Sequence, residues 1–179
     1  NELCERHEAL RQTFSPDGAL CITGDPKPLV LDQVDLRASP VAARRDGLAA
    51  LEARQTSTPF DLEAGPLVRA QLVQLADDEH ELLLCAHHIV VDGYSFGLLT
   101  RELAELYSAR VEGRPHVLGP AESFARYAAG ERAYEATSVA TEDRGFWLEH
   151  LKGLSEDLTL PSDVARPPQR TYDSTRIDF

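Results

Sequence analysis

Leu82-Leu83-Leu84-Cys85-Ala86-His87-His88-Ile89-Val90-Val91-Asp92-Gly93 joins an apolar run, a polar pair and a helix entrance in one stretch. The run Leu82 to Ala86 does not alternate, which is the pattern of a strand covered on both faces. Upstream, Val68, Ala70 and Leu72 alternate with Arg69 and Gln71, the period of a half-buried strand, until Ala76-Asp77-Asp78-Glu79-His80 turns the chain. The two segments are expected to pair as an antiparallel hairpin, the second strand lying deeper. Downstream, a helix is predicted from Tyr94 to Val111. Its apolar stripe is Phe96, Leu99, Leu103, Leu106 and Tyr107, and its polar side carries Arg101, Glu102 and Glu105.

Toward the N-terminus, Leu3, His7, Leu10 and Phe14 recur at helical spacing, and Ser15-Pro16-Asp17-Gly18 stops that helix. Ala19 to Thr23 and Leu29 to Leu36, separated by Gly24-Asp25-Pro26-Lys27-Pro28, are expected to form a hairpin. Ser39-Pro40 opens a helix running to Thr56, with Leu48 and Leu51 inward and Arg44, Arg45, Glu52 and Arg54 in water. Pro59 to Gly65 is a connector. Further helices are predicted over Ala121 to Ala136 and Thr141 to Lys152, the second carrying the single tryptophan, Trp147, as a packing anchor. Leu160 to Pro168 is too rich in proline to be regular, and Thr171 to Phe179 alternates like a strand. Strands and helices are mixed throughout without an internal repeat, which sets the fold class as α/β.

A chain of 179 residues with 42% hydrophobic and 27% charged residues can bury a core without disulfide or metal staples. Its 18 basic and 30 acidic residues leave a net charge of −12, which removes the electrostatic basis for binding nucleic acid or an anionic membrane. No apolar run is long enough to span a bilayer. Cys4, Cys21 and Cys85 are too scattered for a disulfide framework or a zinc site, and Cys85 is expected as a small core residue. A cytoplasmic setting fits this usage. The chain opens at Asn1 without Met and already in helical pattern, so it is expected to be a segment of a longer protein.

The histidine pair carries the chemistry. On a continuing strand His87 and His88 point to opposite faces and cannot share one metal ion. His88 and Asp92 would share a helix face, but Ile89-Val90-Val91 followed by Gly93 is a poor helix, so no metal site is expected. A pair leaving a strand for a glycine turn ahead of a helix lies where a side chain reaches a cleft and backbone N–H groups are free. An imidazole there can take or guide a proton near neutral pH.

His87-His88-Ile89-Val90-Val91-Asp92-Gly93 resembles the HHxxxDG motif of the condensation domains of nonribosomal peptide synthetases, members of the chloramphenicol-acetyltransferase-like superfamily. Arg6-His7-Glu8-Ala9-Leu10-Arg11-Gln12-Thr13-Phe14 is similar to the family's RHExLRxxF motif. Phe60-Asp61-Leu62 with Gly65-Pro66-Leu67 and Arg69 is similar to its FDLxxGPLxR segment, and Phe146-Trp147 and Leu160-Pro161-Ser162-Asp163 match further features in order. One departure is Phe124 to Gly130, which lacks the Asp and Trp of the family's YxDxAxW motif.

The resemblance implies an α+β sandwich, a mixed and mostly antiparallel sheet flanked by helices. Residues 1–179 would be the N-terminal subdomain of a condensation domain, without its first strand and most of its first helix, and with the C-terminal subdomain absent. It implies that His88 is the catalytic histidine and that His87 supports it, turned into the structure. Asp92 would be buried and bonded to an arginine of the first motif, Arg11 in preference to Arg6, and Gly93 would keep the acceptor path open. Tyr94 and Ser95 are candidates to line the substrate tunnel. The implied reaction is amide formation between a donor acyl thioester and an acceptor amine in secondary-metabolite and antibiotic biosynthesis. Both substrates would ride on 4'-phosphopantetheine arms of peptidyl carrier proteins, with no cofactor bound directly. Implied partners are those carriers, the C-terminal half of the domain and adjacent synthetase modules. His88 would act as base, or would orient the amine and stabilise the tetrahedral species. A related HHxxxDG acyltransferase, an epimerization domain and a catalytically silent carrier-binding domain are the alternatives.

Overall fold

The computed structural model describes residues 1–19 and 21–154, together with Pro161, Ala165, Pro168 and Gln169. The expected proline-rich irregular stretch and final strand lie almost wholly outside the described residues. The chain divides into two compact units, Asn1–Arg132 and Ala133–Phe179.

The first unit opens with helix α1 (Glu2–Arg6) and a 3-10 turn (Glu8–Arg11), then strands β1 (Gln12–Phe14) and β2 (Cys21–Thr23). Next come β3 (Leu31–Asp35), α2 (Val41–Ser57), β4 (Val68–Gln74), β5 (His80–Ala86) and α3 (Gly93–Glu112). Helix α4 (Phe124–Glu135) follows, and α5 (Ser138–His150) lies in the second unit. This α/β arrangement agrees with the fold class expected from the sequence.

Sheet pairing departs from expectation at the N-terminal end. The first helix stops at Arg6, and Phe14 sits on a strand whose partner is β2, with Phe14 opposite Cys21. β3 does not pair with β2: it lies parallel to β4, with Leu31 opposite Ala70 and Asp35 opposite Gln74. A parallel neighbour needs a crossover, and α2 supplies it. The expected β4–β5 hairpin forms, with Val68 opposite Ala86 and Gln74 opposite His80. Its depth is reversed, however. Among the described residues β4 is central in the order β3-β4-β5 and carries buried Val68, Gln71 and Val73, whereas β5 lies at the end of that order and Leu82 is exposed.

The core gathers Cys4, Leu10, Leu67, Val68, Val90, Val91 and Leu99, with Phe14, Phe60, Leu62 and Phe96 packed against it. Two helical residues exchange their expected places: Glu102 is buried, and Tyr107 is exposed. Arg44 is half-buried rather than wet, its guanidinium donating to the carbonyls of Ser39, Arg37 and Leu75. Within the second unit Trp147 is no buried anchor. It is 56% exposed and meets Phe146 and His150 edge-on. Among the described residues no helix is long and apolar enough to cross a membrane, and no group of three His, Cys, Asp or Glu side chains could hold a metal ion.

Leu67 is fully buried at the entrance to β4. Leu67→Ala in the complete domain is expected to cost about 2–5 kcal/mol through lost burial and a residual cavity. That cost should appear as a lower urea midpoint at unchanged slope. An unchanged midpoint would place Leu67 outside the core.

Candidate active site

The turn from β5 into α3 is shaped by what its middle residues bury. Val90 and Val91 enter the core, while Ile89 remains half exposed. The flanking polar residues are thereby set at the surface, and both His88 and Asp92 are exposed. His87 is tied at several points. Its N–H donates to Leu67 O at 2.9 Å, its carbonyl accepts from Val90 N at 3.1 Å, and its Nδ1 accepts the N–H of Ile89 at 3.1 Å. A neutral His87 accepting at Nδ1 carries its proton on Nε2. The ring of Phe60 lies 6.0 Å away at 89° to the imidazole.

Asp92 is the N-cap of α3. Its Oδ1 accepts from Ser95 N at 2.8 Å and from Ser95 Oγ at 2.6 Å. The Ser95 hydroxyl first, then its N–H and the nearby His88, hold the Asp92 carboxyl below the usual aspartate range. This corrects the expected buried pair between Asp92 and a first-motif arginine. Arg11 instead donates to Gly24 O at 2.6 Å, and Arg6 to Glu102 and to the carbonyl of Gly119. A carboxylate at a helix start already has backbone donors before it and needs no guanidinium. Gly93 needs none of its freedom for packing, since an added Cβ would meet nothing within 4 Å. Tyr94 is 81% exposed, whereas Ser95 is engaged in the cap.

The segment Arg6-His7-Glu8 acts on helices. Arg6 Nε lies 3.0 Å and His7 Nε2 2.6 Å from Glu102 Oε2 in the middle of α3. Glu8 Oε2 accepts from Ser123 Oγ at 2.9 Å and from Ala125 N at 3.2 Å, at the entrance to α4. Three successive side chains therefore clamp the starts or flanks of two helices. The role of Glu102 escaped sequence reasoning, which placed it on the polar side. The available signals were its position three residues after Leu99, on the stripe's border, and two cationic-capable residues upstream. Also missed was the stack at Phe60, where the Arg69 guanidinium carbon lies 3.7 Å from the ring centroid.

A cavity of about 610 Å³ is lined in part by Arg11, Lys27, Gly65 and Arg69 and includes neither histidine. His88 lies instead on the exposed surface of the turn. Chemistry favours the histidine turn over the cavity, because the cavity lining lacks an imidazole.

The sequence profile of the condensation domain matches residues 1–179. Malpibaldin synthetase of Mortierella alpina is 40% identical over 179 residues, covering 98% of this chain and 3% of that protein. The starter condensation domain of rhizomide synthetase RzmA superposes with a TM-score of 0.78 at 26% identity, over 87% of this chain and 38% of that one. The epimerization domain from the third module of tyrocidine synthetase B gives 0.76 at 28% identity, over 92% and 38%. The chain belongs to the condensation-domain family and carries its chloramphenicol-acetyltransferase-like fold. It spans well under half the length of these relatives.

Burial raises the Glu102 carboxyl, but the donors Arg6 and His7 outweigh it, and the group titrates below the usual glutamate range. Such a carboxylate contributes stability that is present above its unfolded value, about 4.3, and lost as pH falls through the folded one. Glu102→Gln in the complete domain is expected to cost about 1–3 kcal/mol at pH 7. It should also flatten the decline of the urea midpoint below about pH 4.5. A decline as steep as the parent's would contradict the assignment. For Asp92, Asp92→Asn and Asp92→Ser preserve a cap acceptor and should unfold thermally close to the parent, with Asp92→Ala lower. Equal loss in all three would instead indicate a charge partner.

Proposed function

We propose that this chain is the N-terminal half of a condensation domain that forms an amide between a donor thioester and an acceptor amine. The exposed His88 ring, presented on a turn whose neighbours are buried or bonded, carries this reading. The family match and the chain's span of 38% of the RzmA domain support the division into halves. The opposite wall of the tunnel would come from the C-terminal half.

In the reaction the acceptor nitrogen attacks the thioester carbonyl carbon. The tetrahedral species collapses, the carbon–sulfur bond breaks and the thiolate leaves on its carrier arm. An α-amine has a reference pKa near 8, so at neutral pH it must shed a proton before or during attack. His88 receives or steers that proton, and holding two tethered ends in register supplies much of the acceleration. No group resident in this chain is needed beyond its side chains. The 4'-phosphopantetheine belongs to the donor and acceptor carriers, which with adjacent modules are the partners. The setting is the cytoplasm.

Likeness to an epimerization domain favours a second reading, in which the same turn exchanges the α-proton of one carrier-bound residue. Product analysis separates the two. In the complete module, acyl-loaded donor and aminoacyl-loaded acceptor should yield a new amide, and His88→Ala should lower that rate by roughly 10²–10⁴-fold without unfolding. Unchanged turnover would remove His88 from catalysis. A configuration change without amide formation would favour the second reading.

A further inference from the structure

Arg69 on β4 lies opposite Cys85, two residues before His87. Its Nε is buried without a hydrogen-bond partner, and among the described residues no carboxylate pairs with it. A partly buried cation lacking a counterion is costly, so its contacts must compensate. There are two. One guanidinium nitrogen donates to Thr58 O at 2.6 Å, and the guanidinium carbon sits 3.7 Å from the Phe60 centroid. Together they hold residues 58–60 down onto the sheet, and Phe60 in turn meets the His87 ring at 89°.

We propose that Arg69 is a positioning residue for the histidine turn, acting through Phe60 on His87. The inference rests on the proposed role of His88. The Phe60 ring confines the His87 imidazole to the orientation in which Nδ1 accepts the N–H of Ile89. That bond closes the turn from which His88 projects. Arginine suits the position because one planar group both covers a ring face and donates to a carbonyl. Lysine offers a point charge without the plane.

The test uses the complete condensation domain within its module, with Arg69→Lys, Arg69→Met and Phe60→Leu, and His88→Ala in parallel. Two quantities are read: kcat and KM for amide formation with loaded carriers, and the ¹⁵N signature of the His87 ring in histidine-labelled domain. The parent should show His87 with its proton on Nε2. Each Arg69 variant should lose that single-tautomer signature, with kcat about 10- to 100-fold lower at little changed KM, as expected when a reacting group is misplaced. Phe60→Leu keeps apolar volume and should reproduce the effect even where Arg69→Met does not fold. A parent His87 protonated on Nδ1 would overturn the proposal, as would variants with parental kcat. An unchanged His88→Ala rate would instead defeat the functional reading itself, whatever the Arg69 variants do.

Discussion

The burial of Val90 and Val91 is the constraint on which the site depends. Both valines enter one core from the turn between β5 and α3, whereas on a strand adjacent side chains would face opposite sides of the sheet. Once both are inside, the residues bracketing them are forced outward. His88 is delivered to the surface at the end of β5, and Asp92 becomes the first residue outside α3. The spacing of three residues between the histidine pair and the Asp-Gly step thus has a packing origin before it has a chemical one. Leu67, bonded through its carbonyl to His87, joins the turn to the sheet beneath it.

A second fastening sets where α3 lies. Arg6 and His7 converge on Glu102, whose side chain is only 10% exposed. Its negative charge is acceptable there because three nitrogen donors meet it, and removal of either side would strand the other. The N-terminal segment therefore works as architecture: Arg6 and His7 on α3, Glu8 on the entrance to α4, Arg11 on the carbonyl of Gly24. Among the described residues none of these groups hydrogen-bonds to the histidine turn. A helix held at its middle and capped at its start by Asp92 gives His88 a stationary neighbour, and Ser95 completes the cap.

Much of this was legible in the chain. The β4–β5 hairpin, α2, α3 and the position of the histidine pair follow from local period and turn chemistry. What failed was mostly non-local. Leu31 has a strand partner that no local pattern names, since β3 finds β4 across a helix, while the helical spacing through Phe14 hid a short hairpin with β2. Glu102 is buried because Arg6 and His7, from far along the chain, meet its charge, which helical period alone does not show. Asp92 was misassigned because an aspartate between apolar residues and glycine serves equally as a buried ion or as a cap. Only the placement of Ser95 and of the arginines distinguishes these. The Phe60 stack was hidden for a similar reason, as its members come from a connector, a strand and a turn.

On the proposed function, a turn pinned by two valines would present one histidine, His88, to the acceptor amine. This presentation is tested most directly by a crystal structure of the complete domain with a stable donor thioester analogue and a tethered acceptor amine. A His88 ring nitrogen is expected within about 2.6–3.2 Å of that amine, with Asp92 still bonded to Ser95 and no arginine between them. An amine bound against another group, with His88 out of hydrogen-bonding reach, would contradict it.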